Sequence, residues 1–215
     1  MKSSRTVARP AVVYAIADVE TLGLERAEAA VEAIADAGIG TIQLRAKRTS
    51  DAELARLCEA LYARLAGWRG TLWIDDRTDV ALLFAFAGVH LGQRDLPPAR
   101  ARALLPSDRA IGWSTHDREQ LAAGELDAAV DWLAFGPVFA TASKGSPDPV
   151  VGLAGLAAAR RATSKPLVAI GGIDASNVAR VLECGADSAA VLSAVCSGDV
   201  AANCRGLLRA AGAAA

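Results

Sequence analysis

Apolar residues in this chain gather in eight short runs: 12–18 (VVYAIAD), 41–46 (TIQLRA), 71–76 (TLWIDD), 88–92 (GVHLG), 110–114 (AIGWS), 132–138 (WLAFGPV), 166–173 (PLVAIGGI) and 188–195 (SAAVLSAV). Most are continuously apolar rather than alternating, as strands of a parallel sheet covered on both faces are. Between the runs the spacing becomes helical. Ala27, Ala30, Val31 and Ile34 fall at i, i+3, i+4 and i+7, and Gly38 supplies a C-terminal stop. Leu54, Leu57, Cys58 and Leu61 repeat the stripe behind Ser50 and Glu53, a capping-box pair. Val178, Val181 and Leu182 form a shorter stripe closed by Gly185, and Val200, Cys204, Leu207 and Leu208 mark a last helix. Strand and helix alternating in this way predict an α/β fold with right-handed crossovers. The fold class is a single-domain (β/α)8 TIM barrel over residues 1–215, with its core at about 12–212. A doubly wound open sheet is the rival, because periodicity does not show closure. There is no long linker and no low-complexity tract apart from the Ala-rich tail.

Composition narrows the function more than the fold. The 215 residues are 53% hydrophobic and 22% charged, with a formal net charge of −1. Near-neutrality argues against a nucleic-acid surface, which needs a basic excess, but is compatible with a small anion held by local cations. Cys58, Cys184, Cys196 and Cys204 form no CxxC pair and no zinc-like spacing with His90 and His116. They read as reduced, mostly packed thiols of a cytoplasmic protein. The start, MKSSRTVARPAVVYAIADVE, carries basic residues and a short apolar run, but Asp18 and Glu20 end that run, so a strand explains it better than a signal peptide. No apolar stretch approaches the ~20 residues of a membrane span.

The unusual residues cluster where the predicted strands end, which in such barrels is where the chemistry lies. The second strand delivers Gln43, Arg45 and Lys47, which a period of two points the same way. Arg45 and Lys47 read in isolation as surface charges. At the end of a buried strand they read as an anion grip, Arg as a fork and Lys as a point charge. Asp76 and Asp95 read singly as helix N-caps. As a pair on neighbouring strand ends they suit a divalent ion with oxygen ligands, and a bound diphosphate suggests magnesium. Gly171-Gly172 is either a tight turn or a place where backbone closes on a ligand, and Ser193 is either a cap for the last helix or part of a phosphate cradle. His116 is either an acid–base group or a hydrogen-bonded loop histidine. Trp73, Trp113 and Trp132 read as barrel-wall residues.

The segments QLRAK, IDDRTDVAL, GVHLGQRDLP, IGWSTH, FGPVFATASK, VVGL and VAIGGIDASNV…GADSAAVLSAV occur in an order that resembles the thiamine phosphate synthase family, from about Tyr14 to Val195. The resemblance implies a barrel that joins hydroxymethylpyrimidine diphosphate to hydroxyethylthiazole phosphate, releasing diphosphate. It implies Mg2+ on Asp76 and Asp95. Gln43, Leu44, Arg45, Ala46, Lys47, Asp75, Ser114 and Lys144 would line the pyrimidine diphosphate site. Thr141, Ala142, Ser143, Gly172, Leu192 and Ser193 would receive the thiazole phosphate. Arg45, Lys47, Lys144 and Ser114 are the implied catalytic group, dispersing charge on the departing diphosphate. The segment 136–152 would be a lid hinged at both ends.

The chain departs from the family pattern at two places. Asp75 stands where Asn is usual, and ATASK replaces the hydroxyl-rich PTTTK. An extra carboxylate beside a diphosphate needs a cation to offset it: a second ion, or a pairing such as one with Arg77. Two other readings stay open. One is a proton-transferring thiazole tautomerase of the same superfamily, for which Ser114 and His116 speak. The other is a phosphometabolite-binding barrel without turnover, with Asp75 as its sign. Partners are then small phosphorylated substrates, with neither nucleic acid nor membrane. Helix faces rich in Ala and Leu leave room for a homodimer.

Overall fold

A computed structural model describes residues 7–141 and 148–213. Eight parallel strands lie in chain order and close on themselves. They are β1 (Val13–Asp18), β2 (Thr41–Arg45), β3 (Thr71–Asp75), β4 (Gly88–Leu91), β5 (Ala110–Thr115), β6 (Trp132–Phe135), β7 (Leu167–Ile170) and β8 (Ser188–Val191). Ala15 is paired with Ile42 on one side and with Val191 on the other, so β1 is the seam that closes the barrel. The open-sheet rival is thereby removed. The helices are α1 (Val19–Leu22), α2 (Leu24–Asp36), α3 (Asp51–Arg64), α4 (Thr78–Leu83), α5 (Pro98–Leu104), α6 (Arg118–Leu126), α7 (Gly152–Ala162), α8 (Val178–Glu183) and α9 (Val200–Ala210).

Strand parity sorts the apolar residues into two cores. Tyr14, Ile16, Trp73, Ala110, Trp132, Ala134, Val168 and Ala190 fill the barrel interior. Val13, Ala15, Leu44, Ile74, Val89 and Leu133 face outward and bury the helix stripes, among them Ala27, Val31, Leu54, Cys58, Leu61, Val178 and Leu207. Trp132 meets Trp73 and Tyr14 edge-on, with ring centres 5.6 and 5.7 Å apart. These three rings plug the barrel beneath its mouth. Trp113 lies on the outer parity and is only half-buried against that core. The four cysteines are free thiols, three of them buried. The capping box of α3 forms as read: Ser50 Oγ accepts from the Glu53 N–H at 3.4 Å, and Glu53 Oε2 accepts from the Ser50 N–H at 3.2 Å.

Three runs are shorter as strands than their apolar length suggests. β6 stops at Phe135 because Pro137 has no N–H to give; Val138 and Phe139 instead donate to the carbonyls of Ile170 and Gly171. β8 stops at Val191, where the Val195 and Cys196 N–H groups turn back onto the Leu192 carbonyl. β7 ends at Ile170, and Gly171 and Gly172 both have positive φ. Each early stop falls at the C-terminal end and hands backbone to the mouth of the barrel.

Candidate active site

At that mouth lies a cavity of about 690 Å3. Gln43, Arg45 and Lys47 line one wall, sharing the inward parity of β2 as their spacing predicted. Leu44 and Ala46, predicted with them, have the opposite parity, and their side chains are buried in the outer core. β3 contributes Asp75, and the next residue, Asp76, has φ +60°, a left-handed value that Asp tolerates better than most side chains. That turn aims Asp76 across the mouth instead of along α4. It is not the helix cap: Arg77 holds that position. Nor does Asp95 cap α5, whose N-cap is Pro97. Asp95 Oδ2 accepts from the Gly92 N–H at 2.7 Å. A Cβ at Gly92 would sit 2.7 Å from that same oxygen, so only glycine lets Asp95 settle there.

Electrostatics tie these groups into one network. The Tyr14 hydroxyl donates to Gln43 Oε1, and Gln43 Nε2 donates to Asp75 Oδ1 at 2.9 Å. Asp75 Oδ2 lies 3.5 Å from Arg45 Nε and 3.7 Å from Lys47 Nζ, and Lys47 Nζ lies 2.7 Å from Asp76 Oδ2. Arg45 also pairs with Asp18 and lies 3.7 Å from Glu20. Burial, then the charge of Asp76, pushes the Asp75 carboxyl up to about 7, against the pull of Lys47 and Arg45. Burial also lifts Asp76, where the bond from Lys47 lowers it and Asp95, in hydrogen-bond range, raises it again. Two carboxylates brought that close repel unless a proton or cation lies between them. Asp76 and Asp95 therefore fit a divalent ion. No group of three or more His, Cys, Asp or Glu ligands exists among the described residues. Such an ion would complete its shell with water and substrate oxygens, as magnesium commonly does. The extra carboxylate, Asp75, is matched in place by Arg45 and Lys47. Arg77, its other suggested partner, is occupied with Asp51 at 2.8 Å and Asp79 at 2.6 Å.

The opposite wall is largely backbone. Gly172 has φ +62°, and a Cβ there would lie 2.6 Å from the Ala140 carbonyl oxygen. Glycine thus brings the end of β7 against the segment that carries Thr141. Thr141, Gly171, Gly172, Leu192 and Ser193 line this side. Ser193 sits in the turn after β8; α9 is capped by Asp199, whose side chain accepts from the Ala202 N–H at 2.9 Å. The predicted residues Ala142, Ser143 and Lys144 lie outside the described residues, as does the rest of the central part of the expected lid, 142–147. Ser114 Oγ lies 2.8 Å from His90 Nε2, and that imidazole stacks on Trp132 at 4.8 Å. His116 Nδ1 contacts the Gly136 carbonyl at 2.7 Å and lies 3.5 Å from Asp148, so the loop-histidine reading describes its present bond.

Sequence reading had passed over Tyr14, His90, Gln93 and Arg94, which also line the cavity. Parity was the available signal for the first two. Tyr14 alternates with Val13 and Ala15, and His90 with Val89 and Leu91, and each takes the inward position.

Comparison with known proteins converges on one family. The family model described as thiamine monophosphate synthase matches residues 13–195. A thiamine-phosphate synthase of Koribacter versatilis is 44% identical over 185 residues, covering 84% of this chain and 87% of that protein. One from Albidiferax ferrireducens is 42% identical, covering 86% and 84%. The solved structure of thiamine phosphate pyrophosphorylase from Pyrococcus furiosus superposes with a TM-score of 0.83 at 31% identity, covering 93% of this chain and 95% of that one.

Proposed function

This chain belongs to the thiamine monophosphate synthase family, and from that premise we propose that it joins hydroxymethylpyrimidine diphosphate to hydroxyethylthiazole phosphate with Mg2+ held by Asp76 and Asp95. It is a transferase of thiamine biosynthesis. The observation that carries the finer reading is the convergence of Gln43, Arg45, Lys47, Asp75, Asp76, Asp95 and Ser114 on one wall of one cavity, facing a glycine-built wall opposite.

In the proposed reaction the C–O bond to diphosphate breaks and the thiazole nitrogen lone pair forms the new C–N bond. The nitrogen is already nucleophilic, so no protein base is required for attack. Bound Mg2+ would supply charge neutralisation for the leaving group. Lys47 and Arg45 face the same oxygens and add preorganised positive charge, and Lys144 joins them on motif evidence alone. Asp18 anchors the Arg45 guanidinium and so fixes its direction. The Tyr14–Gln43–Asp75 chain fixes the Gln43 amide, giving a planar pyrimidine a set of defined partners beside the aromatic floor of Trp132 and His90. Thr141, Gly172, Leu192 and Ser193 would hold the thiazole phosphate at the other wall, so that both reactants meet in line.

The test mixes both substrates with purified protein, with and without Mg2+, and measures thiamine phosphate by fluorescence after oxidation. Product only with Mg2+ is the expected result; no product in either condition ends the proposal. His116 in the cavity supports the tautomerase as second reading, and rearrangement of the thiazole isomers alone would favour it. The proposal includes a cytoplasmic setting. Among the described residues no helix is long and apolar enough to cross a membrane. It also includes a homodimer, to be checked by light scattering; Leu83 and Leu104, exposed on the adjacent α4 and α5, are among the apolar positions available to it.

A further inference from the structure

We propose that Asp75 is a positioning residue for the cation site: it is the carboxylate onto which Lys47 moves its ammonium when a divalent cation takes Asp76. The inference rests on the reading of Asp76 and Asp95 as the metal pair. Lys47 Nζ lies 2.7 Å from Asp76 Oδ2, which makes the ammonium and a cation competitors for one carboxylate. Holding both there would bring three positive charges together on one carboxylate. Lys47 must therefore yield.

The geometry supplies one place for it to go. Asp75 Oδ2 stands 3.7 Å from Nζ, about 1 Å beyond a charge-assisted hydrogen bond. Asp75 itself is fixed: it is buried, and its Oδ1 accepts from Gln43 at 2.9 Å. Lys47 is the mobile member, with a four-carbon stem and a side chain 43% exposed. Its move along the mouth keeps the ammonium paired and sets it beside Arg45, 3.5 Å from the same Asp75 oxygen. An Asn at this position would present a neutral oxygen and a poorer landing place. The carboxylate that looks repulsive toward a diphosphate thus eases entry of the cation that the diphosphate needs.

The experiment is a double-mutant cycle on the full chain, read by electron paramagnetic resonance titration with Mn2+ alone and no substrate. Asp75→Asn should weaken Mn2+ binding roughly tenfold when Lys47 is present. Lys47→Met should tighten binding by removing the competitor. In that background the loss caused by Asp75→Asn should be at least about fivefold smaller. Lys47→Gln repeats the cycle if the Met variant does not fold. Equal losses in both backgrounds mean that Asp75 acts only as a nearby negative charge, and the hand-over is wrong. Asp76→Asn separates the two levels. If it abolishes Mn2+ binding while the cycle is additive, only the hand-over falls; if it leaves Mn2+ binding unchanged, the metal-pair reading itself falls.

Discussion

Asp76 is where backbone and chemistry constrain the same residue. Its φ of +60° turns the carboxylate toward Asp95 and Lys47, and its N–H donates to the His90 carbonyl at 2.8 Å, locking the turn to β4. Two substitutions separate these roles. Asp76→Asn keeps a side chain suited to the left-handed region and removes the charge. Asp76→Ala removes the charge and adds about 1 kcal/mol of strain. Coupling activity in Mg2+ should fall roughly 100-fold in both. The Asn variant should melt at or above the wild type, because one of three crowded carboxylates is gone. The Ala variant should melt about 2–4 °C below the Asn variant. Calorimetry beside steady-state kinetics checks this. Equal melting points would mean that the left-handed turn carries no strain for alanine.

At the level of elements, each parallel strand must be anchored at its N-terminal end as well as equipped at its C-terminal end. Asp131 precedes β6. It accepts from the Ile111 N–H of β5 at 2.8 Å and pairs with Arg102 of α5 at 2.6 Å, with both side chains largely buried. Asp187 precedes β8 and repeats the device with the Leu167 N–H at 2.7 Å and Arg160 at 2.7 Å. Asp131→Ala leaves a guanidinium and an N–H without that carboxylate and should cost about 3 kcal/mol in urea unfolding. Asp187→Ala should cost less, because its side chain is half exposed. Equal costs would show that burial does not set the worth of these pairs. None of this was legible in the sequence, where a lone Asp before an apolar run reads as a turn residue. The strands themselves were legible because burial on both faces writes a continuous apolar run. So were α2, α3, α8 and α9, which carry stripes. The four-residue α1 was not picked out, nor were α4, α5, α6 and α7, whose buried faces include Thr78, Pro98, Ala101, Gly124 and Ala159, small or polar residues that write no apolar stripe. The cationic wall was readable from β2 parity. The Tyr14–Gln43–Asp75 chain was not, because it joins three strands whose registers no single run reveals.

Across the whole molecule, closure places the two sets of carboxylates at opposite ends of the barrel: Asp76 and Asp95 follow β3 and β4, whereas Asp131 and Asp187 precede β6 and β8. At ~3.3 Å per residue, the four residues of β6 put roughly 13 Å between its two ends. The interior plug of Trp73, Trp132 and Tyr14 fills the space between. Among the described residues Asp76 and Asp131 share no partner across that distance, so the two ends should behave as independent sites. In the double variant Asp76→Asn with Asp131→Ala, the stability changes should add to within about 0.5 kcal/mol. The activity loss should equal that of Asp76→Asn alone, with the kcat of Asp131→Ala matching the wild type below its melting temperature. Removing Mg2+ with a chelator should likewise silence coupling, and should lower the unfolding midpoint only by the binding free energy of the cation itself, RT ln(1 + [Mg2+]/Kd). A non-additive cycle would mean that the plug couples the ends, and that the mouth owes its geometry to the tension of the whole barrel.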